Sequence, residues 1–352
     1  MVMSAVVFDE YGVLPTLRET EEPACPGNGV LVRVRATGVC RSDWHAWKGH
    51  DPVVLPHVPG HELAGVVATV GPEVTGWVPG DRVTVPFVCG CGHCAYCLDG
   101  EAQVCPHQTQ PGFTGAGSFA ELVAIHAADT NLVRLPDEVD FVTAASLGCR
   151  FATAFRALTA HGRLHPGAWL AVHGCGGVGL SAVMVGVALG ARVVAVDVRT
   201  AALERARDLG AEMLVDAREV EDVGEVVRDL TGGGAHVSLD ALGSPGTAAA
   251  SVHSLRRRGR HVQVGLLLGP DATPPLPMDR VVAHELEIYG SHGMPARDYP
   301  AMLAMVADGT LRPDRLVGTV IGLEDAGAAL AAMDRPATTA GMTVVEIPDP
   351  RP

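Results

Sequence analysis

Residues 168–179 read Ala-Trp-Leu-Ala-Val-His-Gly-Cys-Gly-Gly-Val-Gly, an apolar run that breaks into Gly174-Cys175-Gly176-Gly177-Val178-Gly179. The run 168–173 predicts a buried strand, and the uncharged stretch from the glycines to Gly190 predicts a helix. A G-x-G-x-x-G turn between a strand and a helix suits a pyrophosphate. Its glycines permit a tight turn and let the backbone approach the phosphates at the helix N-terminus. Asp197 closes the next expected strand, 192–197. A carboxylate there accepts hydrogen bonds from the adenosine ribose and repels a 2′-phosphate, which favours NAD over NADP. Arg199, two positions on, is a counter-signal, because a guanidinium suits a phosphate. A glycine-rich turn that holds no ligand is the alternative reading.

Working outward, further strands are expected at 212–216, 235–241, 261–265 and 286–290, with a polar helix at 200–209. Six strands alternating with helices imply a parallel sheet covered on both faces. After residue 291 come expected helices at 299–308 and 324–334 and a strand at 342–347; the Pro-rich stretch 269–277 reads as an ordered loop. The first half has another rhythm. Residues 30–36 alternate apolar and polar, 63–70 is β-prone, and Gly80-Asp81 turns into 82–85. Gly and Pro punctuate it throughout, which predicts a compact β-rich domain with long loops. The domains expected are 1–150 with 291–352, and 151–290.

The chain has 352 residues, 47% of them hydrophobic, which is enough for two cores. A net charge of −14 offers no basic footprint, so a nucleic-acid partner is not expected. The uncharged run 174–191 is too broken by glycine to be a membrane span, and the N-terminus lacks the basic start and apolar run of a signal peptide. Nine cysteines without a secretion signal point to metal binding before disulfides, and to the cytoplasm.

Within the segment 89–105, Cys91, Cys94, Cys97 and Cys105 form C-x2-C-x2-C-x7-C. Four thiolates at such spacings wrap a tetrahedral zinc and leave no position for water, so a structural site is expected. Two disulfides or an iron–sulfur cluster are the alternatives, and Cys89 is a bystander. Two stretches earlier in the chain also stand out: Gly38-Val39-Cys40-Arg41-Ser42-Asp43-Trp44-His45 and Gly60-His61-Glu62. A third follows at Leu147-Gly148-Cys149-Arg150-Phe151. Their separation in sequence does not by itself join them.

With all of these in order along the chain, the sequence resembles the zinc-dependent medium-chain alcohol dehydrogenases over essentially its whole length. The resemblance implies an α/β protein: a GroES-like catalytic domain around a distorted β-barrel, and a six-stranded parallel Rossmann domain. It implies two zinc ions per chain and NAD, with an alcohol, aldehyde or ketone as substrate. Cys40, His61 and Cys149 would bind a catalytic zinc with one position open, and Glu62 would be an occasional ligand. Ser42 and His45 match the family's proton relay. Asp43 would orient His61 through its other ring nitrogen. Arg41 matches a position that meets the pyrophosphate, and Thr153 and Val178 match positions packed on the nicotinamide. Trp47 and Phe87, and more weakly Trp44, fall where relatives line the substrate pocket. Many relatives carry an arginine where this chain has Met342, and Arg150 is expected to take over part of its role as the partner of Glu62. A homotetramer is implied by length, with a dimer as the other option. A polyol dehydrogenase or a carbonyl reductase of the same fold is the runner-up, although Cys149 stands where polyol relatives often have glutamate. A non-catalytic binding protein is the reading from another class, and such proteins usually lose the ligands that survive here.

Overall fold

The computed structural model describes residues 1–335 and 341–348. The chain divides into two units, Met1–Ala152 with Gly293–Pro352, and Thr153–His292. Among the described residues no helix is long and apolar enough to cross a membrane.

The second unit is a six-stranded parallel sheet in the order Met213–Asp216, Arg192–Asp197, Trp169–His173, Ala235–Asp240, Leu255–Gln263, Glu287–Gly290. This is the doubly wound order in which the first strand lies at the centre and ligands bind beyond the carboxyl ends of the strands. All five residues of Trp169–His173 are buried, as a central strand covered on both faces requires. The helix Gly177–Ala188 follows directly, and Arg192–Asp197 returns beside the first strand. The strand expected at 261–265 instead begins at Leu255. Its early part carries exposed Arg256, Arg257 and Arg258 and a shifted register, so it lacks the apolar pattern that marks a buried strand.

The first unit is built on a seven-stranded sheet. Val30–Val39 is its longest strand, pairing antiparallel with Glu62–Val70, Leu122–Ile125 and Met342–Glu346. Arg82–Thr84 and Val133–Arg134 extend it on one side, and Val317–Ile321 pairs parallel with Met342–Glu346 on the other. A separate hairpin pairs Val2–Val7 with Thr16–Glu21. Alternate residues of these strands feed one core that holds Val30, Val32, Val34, Leu63, Val67, Val83, Phe119 and Val123. One register matters most. Gly38 stands opposite Glu62, so the end of one strand and the start of the next deliver Cys40 and His61 to the same place.

Candidate active site

Cys40 ends its strand and precedes the short helix Arg41–Trp47. Asp43, in the first turn, folds back so that one carboxylate oxygen accepts from the Cys40 backbone N–H at 3.0 Å. Its other oxygen accepts from the Gly60 N–H at 3.0 Å and from His61 Nδ1 at 2.7 Å. One fully buried carboxylate therefore ties the helix to the His61 loop and aims the imidazole. Cys149 arrives from the wide helical turn Leu147–Phe151, whose Gly148 carbonyl accepts from the hydroxyl of fully buried Tyr299 at 3.2 Å. Ligand atoms of Cys40, His61, Glu62 and Cys149 all lie within 4.8 Å of one another.

His61 Nε2 is buried and has no hydrogen-bond partner among the described residues. A buried lone nitrogen costs about 1–3 kcal/mol unless something occupies it. Protons are shared among its neighbours. Cys149 donates to Cys40 and holds that thiol well below its usual value, with burial acting the other way. Cys149 itself is pushed well up by Cys40 and by burial. Burial opposes charge on His61, but the Asp43 carboxylate outweighs it and raises the imidazole well above its usual range. Surroundings this negative favour a cation at Nε2, and a metal ion competes with the proton for the same lone pair. Two thiols and one imidazole are a donor set that suits zinc.

Glu62 is fully buried, and burial raises its carboxyl while Arg150 acts against that rise. Its Oε1 accepts from the Arg150 backbone N–H at 3.2 Å and from Nε at 3.1 Å, and its Oε2 pairs with the second guanidinium nitrogen. Met342 is buried at the start of its strand, paired with Val317 and one residue before the Thr343 that stands opposite Val39, and supplies no charge. Arg150 is thus the cation that meets Glu62.

Four thiols of the 91–105 loop form a second cluster, with all sulfurs within 4.8 Å. Cys91 and Cys97 are 4.0 Å apart and Cys94 and Cys105 are 3.6 Å apart. Four sulfurs about 2.3 Å from a central zinc stand about 3.8 Å from each other, so the spacing fits a tetrahedral ion. Burial pushes the Cys105 thiol up, and the Cys91 and His107 backbone N–H groups that donate to its sulfur oppose that rise. Cys89 stays outside the set, buried, with its thiol pushed to about 12 by burial. Asn131 fastens the base of the loop through both the N–H and the carbonyl of Gly90.

In the second unit, Gly174 has φ of +92° and makes the turn. A Cβ at Gly179 would overlap the Gly174 carbonyl, so that glycine allows the helix to sit against the turn. A Cβ at Gly176 would meet nothing within 4 Å, which leaves its outer face open for a ligand. Gly177 and Val178 begin the helix, and Thr153 is buried. Asp197 accepts from the Cys175 N–H at 2.7 Å and from the Arg199 N–H at 2.8 Å. Its carboxylate therefore stands at the glycine turn, and Arg199 bends back onto it.

The remaining expected residues separate. Ser42 Oγ lies 4.0 Å from Cys40 Sγ. His45 is half-buried, and burial lowers its imidazole. Arg41 donates to the Met333 carbonyl at 2.8 Å and stacks on Trp44. The Phe87 ring stands edge-on to His61, 6.2 Å between centroids. Trp47 does not share that position. It is 2% exposed within the core and donates its indole N–H to the Val13 carbonyl, because apolar packing claims the inner face of its helix. Trp44, in the middle of the same helix, is engaged elsewhere, donating to Asp334. Sequence reasoning missed Phe113, whose ring lies 5.2 Å from His61 on a loop held by the His57–Gly112 bond. It also missed His50, whose Nδ1 is 3.2 Å from that of His45.

Comparisons with known proteins agree with this geometry. The alcohol dehydrogenase GroES-like domain matches residues 26–137, and the zinc-binding dehydrogenase domain matches residues 177–308. An alcohol dehydrogenase of Geobacillus stearothermophilus is 36% identical over 313 residues, covering 88% of this chain and 90% of its own. A sorbitol dehydrogenase of Halalkalibacterium halodurans is 32% identical, covering 90% of this chain and 91% of its own. Among solved structures, an alcohol dehydrogenase from Thermus sp. ATN1 superposes with a TM-score of 0.91 at 32% identity, covering 98% of this chain and 99% of that one.

Proposed function

The chain belongs to the zinc-dependent medium-chain alcohol dehydrogenases, and on that premise we propose that it interconverts an alcohol and its aldehyde or ketone, with NAD as hydride carrier and two zinc ions per chain. The observation that carries the reading is the orphaned, buried Nε2 of His61 among the Cys40 and Cys149 thiols. Cys40, His61 and Cys149 would hold one ion, and Cys91, Cys94, Cys97 and Cys105 the other. A zinc held by three protein ligands supplies a Lewis acid that lets an alcohol lose its proton near neutral pH.

Asp43 keeps His61 in the tautomer that leaves Nε2 free. Arg150 holds Glu62 back as a carboxylate behind the ligands. Ser42 and His45, three residues apart on one helix, share a face and carry the alcohol proton away. Gly174–Gly179 with the helix N-terminus would take the NAD pyrophosphate, Asp197 the adenosine ribose, and Arg41 a phosphate after leaving Met333. Phe87 and Phe113 flank His61 with ring edges, which favours a carbon-rich substituent on the alcohol over a polyol. A homotetramer in the cytoplasm belongs to the same reading.

The test is metal analysis of the purified protein and a panel of primary, secondary, aromatic and polyhydric alcohols with NAD and NADP. Two zincs per chain and NADH formation with apolar alcohols are expected. Faster turnover of sorbitol than of any simple alcohol favours the polyol reading, given the sorbitol dehydrogenase among the relatives. One zinc per chain, or no turnover in either direction, refutes the proposal.

A further inference from the structure

Beyond the end of the helix Arg41–Trp47 the chain doubles back on itself. Gly49 takes φ of +75°, and the His50 and Asp51 N–H groups both donate to the His45 carbonyl, at 2.9 and 3.3 Å. This turn lays the exposed His50 ring against the half-buried His45 ring, with centroids 5.4 Å apart and Nδ1 facing Nδ1 at 3.2 Å. Trp44 supports both rings edge-on, at 5.0 Å from His45 and 5.4 Å from His50. Trp44 is itself pinned by its bond to Asp334 at 2.7 Å and by the guanidinium of Arg41 stacked over it. A surface histidine with no task has no need of two ring contacts and a ring-to-ring hydrogen bond.

We propose that His50 is the outlet of the proton path, taking the proton from His45 through the facing Nδ1 atoms and releasing it to solvent from Nε2. The inference rests on the alcohol dehydrogenase reading above and adds a residue to it. An Nδ1–Nδ1 bond requires that one ring carry the hydrogen and the other offer its lone pair. With the hydrogen on His45, a proton arriving at His45 Nε2 makes an imidazolium. The Nδ1–H bond of His45 then breaks as one forms at His50 Nδ1, and His50 loses its Nε2 proton to water. One proton moves outward, no electrons move, and both rings end neutral with their tautomers exchanged. Exchange with water restores them before the next turnover. The gradient runs the right way: burial disfavours a charge on His45, with His50 and Arg41 adding to this and Cys40 and Asp51 opposing it. The remaining charged groups around the pair, Lys48 and Asp334, neutralise each other at 2.8 Å.

The experiment uses the full-length zinc-loaded protein with His50→Ala and His50→Gln, mixed in stopped flow with NAD and an alcohol. NADH absorbance and a pH indicator are followed together in weak buffer. In the parent protein the two signals rise in phase. In both variants NADH formation slows about tenfold in weak buffer, a fraction of what a general acid–base group supplies. Added imidazole or concentrated buffer restores it, while zinc content and NAD affinity stay at the parent values. A readout independent of turnover comes from nitrogen-15 NMR of labelled histidines without cofactor or substrate, where the His45 titration moves up once His50 is removed. Rates that ignore buffer, a slowing that imidazole does not relieve, or an unmoved His45 titration each overturn the inference while leaving the enzyme reading intact. No NADH formation by the parent protein overturns both.

Discussion

Replacing Arg150 by alanine tests the energetics of the site most directly. The side chain of Glu62 is 0% exposed and that of Arg150 is 11% exposed, and the two share a bidentate pair reinforced by the Arg150 backbone N–H. Removing the guanidinium leaves a carboxylate in the interior with one main-chain donor. Breaking a buried pair from one side costs about 3–5 kcal/mol, because the remaining charge has lost its compensation. For a unit of this size each kcal/mol is worth about 2–4 °C, so the melting midpoint of Arg150→Ala should fall by about 10 °C. Cys149 is the preceding residue, and loss of a supporting partner typically costs about 10–100-fold in metal affinity, so a zinc held by Cys40, His61 and Cys149 should be chelated faster. Calorimetry on the zinc-loaded protein and timed release to a chromogenic chelator measure both effects. The double variant Glu62→Gln/Arg150→Ala should regain part of the loss, because the buried charge is gone. A midpoint within about 2 °C of the parent protein, with unchanged zinc release, would falsify the assignment of Arg150 as the cation that balances Glu62.

The glycine turn yields two opposite outcomes. Gly176→Ala meets no protein atom, so it should leave melting of the second unit unchanged and weaken NAD binding about tenfold or more, as read by fluorescence titration; unaltered binding would show that no ligand approaches there. Gly179→Ala drives a methyl into the Gly174 carbonyl and should destabilise that unit even without cofactor. Asp197→Gly removes both the proposed ribose partner and the acceptor of the Cys175 N–H, and the NAD-over-NADP ratio of kcat/KM should drop about tenfold or more; a constant ratio assigns the preference to another residue. His173 is buried against the Ser254 hydroxyl, and burial, with His261 adding, pushes its imidazole down to about 3. The unfolded chain therefore binds a proton that the folded one refuses. The contribution of His173 is fully present above pH about 6.5 and is lost as pH falls toward 3, amounting to about 2 kcal/mol already at pH 5. Urea unfolding of the parent and of His173→Asn at pH 7 and pH 5 should show that slope only in the parent.

Local pattern carried the second unit. Trp169–His173 and Arg192–Asp197 are short apolar runs on either side of a helix, and the glycine turn and Asp197 are separated by one helix–strand repeat, so period and punctuation locate them. The early start of Leu255–Gln263 escaped because three exposed arginines occupy it, and pairing with a neighbour, not burial, makes them a strand. The cysteine loop was legible for a related reason: all four thiols lie on one short segment, so spacing stands in for geometry.

The other centre was different. Cys40, His61 and Cys149 are distant in the chain, and resemblance to a family joined them before any physical argument did. In the molecule they meet because Gly38 pairs with Glu62 across an antiparallel register and because the turn Leu147–Phe151 enters beside that strand. Trp47 and Phe87 show the same limit: both are aromatics near ligands, yet core packing takes one and His61 the other. Even His50, five residues from His45, could not be read as its partner, since the contact depends on one glycine turn and a tryptophan held by Asp334. Sequence alone therefore determined the Rossmann unit, the glycine turn and the four-cysteine loop, because each is closed by local chain geometry. The tertiary structure decided the pairing of Arg150 with Glu62, the rings around His61 and the His45–His50 bond. Those contacts depend on register and packing between segments, and neither period nor composition records them.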